Sequence, residues 1–386
     1  MQEFTQVPTV KARKPRLAAI EYIRGISMMG VIGIHVGSQY LSNTAANIHL
    51  VALFETATRF SVPIFFFISA FGLFYNLDLN ASFNYRSFLR RRFKTVLVPY
   101  LVWSIFYLIH DGFLYSVGFP DPLHLLTILF FGNAKYQLYF MVILLWFYLL
   151  MPVWIWIIRR STAVSLMLLL FAQLAFDYWS SFSTDFNVFI YGLPDGSLLK
   201  PFLMYRLNYW VLHYTFIFVF GGWLAVHVEP FMRFMREHRS AITVFFWVSF
   251  AALMAYYYQL IFTAGYTPME AINTAHQLCP AGIFYTIAAS LFFFTIFTNQ
   301  QYSSCLNPIL HQLGKHSYFA YLAHPLVITY LGLLIQHYGL AMTAPLAISF
   351  YCATLVLSIL AAIVCRRFGE YCPLLNEWTI GIYPKK

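Results

Sequence analysis

The sequence predicts an all-α, polytopic integral membrane protein: a bundle of about ten transmembrane helices with both termini in the cytosol. Of the 386 residues, 60% are hydrophobic and only 10% are charged, whereas soluble domains carry about 25% charged residues. Ten apolar segments are long enough to cross a bilayer as helices. Basic residues concentrate in alternate connecting segments, as the positive-inside rule requires.

The predicted spans are apolar runs of about 20 residues. They cover residues 17–41, 48–76, 95–118, 137–158, 162–180, 207–228, 240–262, 278–298, 316–337 and 344–365. We divide the chain into a basic cytosolic tail (1–15), one transmembrane domain (16–367) and a cytosolic C-terminal tail (368–386). No cleavable signal-peptide pattern precedes the first span, which we expect to be retained.

The net charge of +10 would fit nucleic-acid binding, but the placement of the charges argues against it. Lys and Arg lie beside the ends of the spans, so we expect membrane lipids and no nucleic acid as partners. The longest polar stretch, residues 181–206, is expected to be a surface loop that covers a substrate site. The cysteines show no CxxC or zinc spacing, so we expect free thiols and no metal site. They are Cys279, Cys305, Cys352, Cys365 and Cys372.

The first span contains polar residues that are costly at membrane depth and therefore mark a candidate functional site. Arg24 and His35 are eleven residues apart, about three helical turns, so they project from nearly the same face. Glu21 lies one turn before Arg24, a spacing at which the two side chains can form an ion pair. A polar stripe therefore runs along a helix that is otherwise apolar or small.

The second span also contains charges, Glu55 and Arg59, four residues apart. Two interpretations stay open here. The side chains can form an internal ion pair that hides both charges, or Arg59 can face a cavity lined by the first helix. Pro63 would bend this span and make room for a ligand.

Five positive charges precede the third span in the segment YRSFLRRRFKTVLVPYLVW, residues 85–103. Such a cluster at a cytosolic span entrance can anchor the protein to anionic lipid. It also suits a polyphosphate ligand, because arginine can bind phosphate through two donors at once. Arg91, Arg92 and Lys94 are the candidate phosphate ligands.

Two tyrosines begin the fourth span, in the segment KYQLYFMVILLWFYLLMPVW, residues 135–154. Tyr136 and Tyr139 can act as proton carriers or as relays that hold a transferred group covalently. Tyrosines at such a position also form aromatic belts at the membrane interface, so both interpretations stay open.

One histidine lies inside the ninth span, in the segment LGKHSYFAYLAHPLV, residues 313–327. His324 directly precedes Pro325, and a histidine in a membrane helix is costly unless it is paired. It can line a cavity, or it can hydrogen-bond to backbone carbonyls that the proline leaves free.

Taken in order, these motifs resemble the bacterial membrane acyltransferases of acyltransferase family 3. The resemblance covers Arg24 and His35, the segment SVPIFFFISAFGLF (61–74), the basic cluster, the tyrosine segment and the late Tyr-Leu-x-His-Pro signature. In the family the basic segment reads Arg-x-x-Arg and is implicated in holding the nucleotide end of acyl-CoA; here Lys94 replaces the last arginine. The family often has histidine where Gln137 stands. The resemblance implies a multi-pass protein of the bacterial cytoplasmic (inner) membrane that modifies cell-envelope polysaccharides.

The resemblance also implies the reaction, which is transfer of a short acyl group, most often acetyl, from cytosolic acyl-CoA to a hydroxyl of an extracytoplasmic glycan or lipid-linked sugar. His35 would be the base that takes the hydroxyl proton. Arg24 would stabilise negative charge on the carrier or on the thioester oxygen, and Glu21 would hold Arg24. We expect one cavity, lined by Arg24, that joins a cytosolic mouth near Arg91 to His35.

A transporter or flippase of a glycan or lipid-linked precursor is the alternative, because intramembrane charges also mark substrate paths in transporters. A transporter needs no CoA-phosphate site on one face, and the sequence shows no internal inverted repeat. We therefore expect acetyl-CoA (acyl-CoA) as the donor substrate, a sugar hydroxyl as the acceptor and no metal.

Overall fold

The computed structural model describes residues 14–42, 46–299 and 306–383, and all regular secondary structure in these ranges is helical. The predicted all-α fold is confirmed. Most of the predicted N-terminal tail and Cys305 lie outside the described residues. The helices are α1 (Ala18–Leu41), α2 (Ile48–Tyr75), α3 (Tyr85–Tyr115), α4 (Pro122–Phe131), α5 (Tyr139–Leu149), α6 (Met151–Arg160), α7 (Ala163–Phe182), α8 (Thr184–Gly192), α9 (Leu199–Met204), α10 (Arg206–Tyr209), α11 (Val211–Val226), α12 (Val228–Glu237), α13 (Arg239–Phe262), α14 (Pro268–Thr274), α15 (Pro280–Thr298), α16 (Leu306–His337), α17 (Ala344–Tyr371) and α18 (Pro373–Ile380).

Eight helices in the described part of the chain are long and apolar enough to cross a membrane: α1, α2, α3, α7, α13, α15, α16 and α17. The bent pairs α5–α6 and α11–α12 bring the number to ten if each pair is one span; their axes bend by 66° and 97°. The break between α5 and α6 precedes Pro152, which has no N–H for the carbonyl of Tyr148. Each predicted span overlaps one of these helices or pairs.

The helices α1 and α2 form the centre of the bundle, since 61% of the apolar window of each is buried, compared with 22% for α7 and α17. Glycines on α1 permit close packing. A side chain at Gly37 would meet Phe54 and Glu55 of α2 at 2.9 Å. A side chain at Gly25 would meet Leu313 of α16 at the same distance. The polar stripe of α1 therefore lies at the centre of the molecule.

Both α2 and α3 contain one turn of π-helix, Ala52–Thr56 in α2 and Phe93–Leu97 in α3. A π-turn is wider than an α-turn and shifts the faces of the helix on its two sides. In α3, Pro99 follows this turn and has no N–H for the carbonyl of Thr95, four residues earlier. The turn begins after the three arginines of the basic cluster. Arg92 and Lys94, two residues apart, lie on opposite sides of α3, because two residues turn an α-helix by about 200°.

The C-terminal residues pack into the bundle. Helix α18 lies against α3 and α17. The indole N–H of Trp103 donates to the carbonyl of Thr379 at 3.0 Å, and the hydroxyl of Tyr383 donates to the carbonyl of Lys94 at 3.2 Å. The predicted tail 368–386 is thus part of the fold wherever the structure describes it.

The polar segment 181–206 is folded and is held together by side-chain hydrogen bonds. It contains α8 and α9, and Arg206 ties its end back to its start. The guanidinium of Arg206 donates to the carbonyl of Ser180 and to the side chain of Asn187, both at 2.8 Å. None of the residues in this fully described segment lines either of the two large central cavities.

Candidate active site

A cavity of about 410 Å³ lies between α1, α2, α14, α16 and the start of α5. We call it the histidine cavity, because His35 lines it. Its polar and aromatic lining residues are His35, Ser38, Gln39, Glu55, Arg59, Phe65, Tyr136, Gln137, Tyr139, Phe140, Asn273, Gln277 and Tyr321. The structure therefore brings four predicted site residues, His35, Arg59, Tyr136 and Tyr139, into one cavity.

The imidazole of His35 lies between two other rings. It stacks on the ring of His324, with centroids 5.3 Å apart, and its centroid is 4.3 Å from that of Tyr136. Nδ1–H of His324 donates to the carbonyl of Tyr321 at 2.7 Å. This carbonyl is free because Pro325, four residues later, has no N–H. His324 is thus buried behind His35, bonded to a carbonyl that the proline released.

Glu55 and Arg59 form the predicted ion pair and also face the histidine cavity. Nη2 of Arg59 lies 2.7 Å from Oε2 of Glu55, and the hydroxyl of Ser38 donates to Oε1 at 2.7 Å. The Glu55 side chain is fully buried, whereas that of Arg59 is 16% exposed. The pair joins α2 to α1 one turn beyond His35, and it leaves a guanidinium at the cavity surface.

A second cavity, of about 390 Å³, is lined by Arg24 and Arg92, and we call it the arginine cavity. The guanidinium of Arg92 lies 5.3 Å from the ring centroid of Tyr148 and 5.4 Å from that of Phe88, as in cation–π contacts. Among the described residues, no carboxylate forms a salt bridge with Arg24. The lining, all of it described, contains no acidic residue, so this cavity is suited to an anion.

Glu21 does not pair with Arg24, which corrects the predicted ion pair. Its carboxylate contacts the guanidinium of Arg16 and lies 3.0 Å from Nδ1 of His311. It lines neither cavity. Glu21 instead faces α16, where Gly314 lets the two backbones approach closely. The helical spacing permits the pair with Arg24, but Glu21 contacts His311 of α16 and Arg16, which precedes α1, instead.

The basic cluster is divided between different surfaces of α3. Arg92 faces the arginine cavity. Lys94 lines a separate groove on the other side of α3, together with Arg86 and Arg90 at intervals of four residues. Arg91 is exposed and lines neither surface. Of the three predicted phosphate ligands, only Arg92 therefore faces the cavity that contains Arg24.

The two cavities share a wall. Phe65, Phe140 and Tyr321 line both of them, and we call these three residues the aromatic wall. The ring centroid of Phe140 is 5.6 Å from that of Phe65 and 5.7 Å from that of Tyr321. Arg24 and His35, ~16 Å apart along α1, lie on opposite sides of it. The structure thus has two cavities back to back where the sequence predicted one.

One side of the histidine cavity comes from a segment that the sequence reasoning missed. Asn273 and Gln277, in α14 and the turn after it, line the cavity. Thr267 and Glu270 fix the start of α14 through a capping box, in which the Glu270 carboxylate accepts from the Thr267 N–H at 2.8 Å. These hydrogen bonds lower the pKa of Glu270. The Thr-x-x-Glu pattern was a sequence signal for this helix.

His276, in the same turn, has a structural role. Its Nδ1 accepts from the N–H of Leu278 at 3.1 Å, and its ring stacks on that of Phe182 with centroids 5.2 Å apart. Burial lowers the pKa of His276 to about 3, and the charge of Arg59 adds to this effect. The ring is therefore neutral at ordinary pH.

The fold defines the class of the protein, which is a multi-pass membrane protein. Its two cavities, one suited to an anion and one polar and lined by a histidine, lie on opposite sides of the aromatic wall. The family model described as an acyltransferase domain matches residues 17–366, nearly the whole chain. The chain therefore belongs to this family, acyltransferase family 3, and is a membrane acyltransferase. No curated protein and no solved structure matches the chain. Family membership favours an acyltransferase over the transporter alternative.

Proposed function

We propose that the protein transfers a short acyl group, acetyl in the simplest case, from cytosolic acyl-CoA to a hydroxyl of an extracytoplasmic glycan or lipid-linked sugar. We place it in a bacterial inner membrane. The observation that carries the proposal is the pair of adjoining cavities, one cationic and one largely neutral and polar. A transfer between an anionic carrier and a neutral acceptor needs two such sites that meet near the reacting bond.

The arginine cavity is the proposed donor site. Arg24 and Arg92 offer two guanidinium groups to the phosphates of acyl-CoA, and arginine binds phosphate through paired donors. The positive-inside rule supports a cytosolic location for the basic cluster, and hence for this cavity. Arg91 and Lys94 lie outside the cavity, so we assign them long-range attraction of the polyanion rather than direct contact.

The histidine cavity is the proposed acceptor site. Four carboxamide side chains line it: Gln39, Gln137, Asn273 and Gln277. A carboxamide both donates and accepts hydrogen bonds, which matches the hydroxyl groups of a sugar. The ring of Tyr136 adds an apolar face beside the proposed base. Such a lining supports a neutral, polyhydroxylated acceptor.

His35 is the proposed base, because its partly exposed ring faces the acceptor site and is oriented by His324 and Tyr136. It takes the proton of the acceptor hydroxyl while the hydroxyl oxygen attacks the thioester carbonyl. The new C–O bond forms, the C–S bond breaks, and the CoA thiolate recovers the proton from the imidazolium. General-base assistance of this kind contributes typically ~100-fold or more. Arg59 faces the same cavity and would stabilise the negative oxygen of the tetrahedral state.

The aromatic wall lies on the path between donor and acceptor. The thioester must pass it, or must reach its face, before His35 can assist the attack. Phe65 is only partly buried, so rotation of its ring is the smallest movement that would join the cavities. This step is part of the proposal.

The proposal is tested with the purified full chain in lipid nanodiscs, supplied with radiolabelled acetyl-CoA and a lipid-linked sugar fraction from bacterial envelopes. We expect release of CoA thiol together with label in the sugar fraction. Mass spectrometry of envelope glycans from cells with and without the protein would then locate the acetyl ester. The proposal is wrong if label enters a protein or an amine instead, or if the acyl group comes from a donor without phosphates.

A further inference from the structure

A buried pair of ionisable side chains lies outside both large cavities. Nδ1–H of His213 donates to Oδ1 of Asp177 at 2.7 Å, and Nε2 of Gln173 donates to Oδ2 at 2.7 Å. Both oxygens of the carboxylate are therefore bonded, and the Asp177 and His213 side chains are fully buried. In this cluster Nε2 of His213 is a buried atom without a hydrogen-bond partner among the described residues, and we call such an atom open.

Three residues that carry open polar atoms line one small cavity. Within the described part of the chain, Nε2 of His213, Oε1 of Gln277 and Oγ1 of Thr286 are buried and have no hydrogen-bond partner. All three residues line the same cavity of about 20 Å³. This volume is the space open to the centre of a water-sized sphere. On that measure a water molecule needs roughly 10–15 Å³, and it also needs two to four polar partners. The cavity thus has room for one water molecule and offers it three partners.

The chemistry of the three atoms is complementary to a single water. With its ring proton on Nδ1, where it bonds Asp177, His213 offers an acceptor lone pair at Nε2. The amide oxygen of Gln277 is also an acceptor, and the hydroxyl of Thr286 can donate. A water molecule that donates twice and accepts once satisfies all of them.

We propose that this cavity binds one structural water molecule, which links the Asp177–His213 pair to Gln277. Gln277 also lines the histidine cavity. The water therefore fixes the amide of a residue that faces the acceptor, and Asp177 and His213 act as positioning residues for it. This last consequence rests on the proposed acceptor site, whereas the water site itself does not.

The test compares two valine substitutions by the melting temperature of the purified full chain. Thr286→Val removes the hydroxyl that the water would use. Thr354→Val is the matched control, because the hydroxyl of Thr354 is also buried and without a partner among the described residues, but it lines none of these cavities. Removing an unpaired buried hydroxyl is neutral or stabilising. We therefore expect Thr286→Val to melt ~2 °C or more lower and Thr354→Val to melt at the wild-type temperature or above it.

Thr286→Ser keeps a hydroxyl and should recover the stability that Thr286→Val loses. A cryo-EM map at a resolution that shows water should place density within 2.6–3.2 Å of all three atoms. If Thr286→Val is as stable as Thr354→Val, or if the density is absent, the water site is wrong.

An activity measurement separates this proposal from the proposed function. Thr286→Val should raise KM for the acceptor several-fold while KM for acetyl-CoA is unchanged, because only the Gln277 amide loses its orientation. A lower kcat with an unchanged acceptor KM would contradict the positioning role. A wild-type protein that does not consume acetyl-CoA would overturn the proposed function but leave the melting experiment valid.

Discussion

The arginine cavity and the histidine cavity are nearly equal in volume, about 390 and 410 Å³, but they differ in charge. The first presents two guanidinium groups and no carboxylate in its fully described lining. The second pairs its guanidinium, Arg59, with Glu55 and surrounds it with amides, hydroxyls and rings. This is the difference that the proposed function requires, in which an anionic donor and a neutral acceptor would bind on the two sides of the aromatic wall.

The largest effect is expected at His35, on the histidine side only. His35→Gln should lower acyl transfer by ~100-fold or more, because an amide fills the space but cannot accept and release a proton near neutral pH. Binding of acyl-CoA, measured by calorimetry, should be unchanged. His49→Gln is the control, since His49 bonds to Tyr258 and lines neither cavity. Near-native turnover of His35→Gln would remove His35 from the mechanism.

The next largest effect is expected on ligand binding in the arginine cavity, where the adjacent residues Arg91 and Arg92 should differ. Arg92→Gln should weaken acyl-CoA binding by about tenfold or more, the value of a charge-assisted hydrogen bond. Arg91→Gln should weaken it much less, because Arg91 does not face the cavity. The measurement is the Kd for acyl-CoA at two salt concentrations. Equal losses for the two variants would mean that the cluster acts only as a lipid anchor or a diffuse field.

A smaller effect is expected at the aromatic wall, on the choice of acyl group. Phe65→Ala should raise the rate with butyryl-CoA relative to acetyl-CoA by about tenfold, the discrimination expected for a few methylene groups in a restricted passage. Val62→Ala is the control, because Val62 lies one turn away and lines only the histidine cavity. An unchanged ratio in Phe65→Ala would show that the acyl group does not pass this ring.

The smallest effect concerns pH and the turn beside the histidine cavity. The pKa of His276 is about 3 in the folded protein and about 6.5 in an unfolded chain. Protonation below pH 6.5 therefore favours the unfolded state, so the stabilising contribution of neutral His276 is present above pH 6.5 and is lost as the pH falls towards 3. Between pH 7.5 and 5, the melting temperature of the wild type should fall by a few °C more than that of His276→Gln. Equal falls would contradict the assignment.

The positions of the spans could be predicted from the sequence because each depends on the apolar character of its own residues. The stripe of α1 could be predicted for the same reason, since Arg24 and His35 belong to one continuous helix. Ser38 and Gln39, at three and four residues beyond His35, were available by extending that stripe. Local periodicity is sufficient wherever a helix is regular.

The failures arise where neighbours in the sequence lie on different faces of a helix, or where the partner belongs to another helix. Arg92 and Lys94 lie on opposite sides of α3 because two residues turn an α-helix by about 200°, although as neighbours in the sequence they suggest one cluster. Glu21 contacts His311 of α16, and the spacing of residues along α1 cannot predict a contact with another helix. The aromatic wall combines residues of three different helices, and its existence decides that there are two cavities instead of one.

The place of Ile380 has a consequence for the order of assembly. Ile380, at the end of α18, lines the arginine cavity, whereas the last residue in the chain that lines the histidine cavity is Tyr321. In a chain synthesised from its N-terminus, the described lining of the histidine cavity is therefore made before the arginine cavity can be completed. A nascent chain that has not yet packed α18 against α3 lacks the complete arginine cavity. If this cavity is the donor site, as proposed, the chain could bind acyl-CoA there only after its last helix has folded.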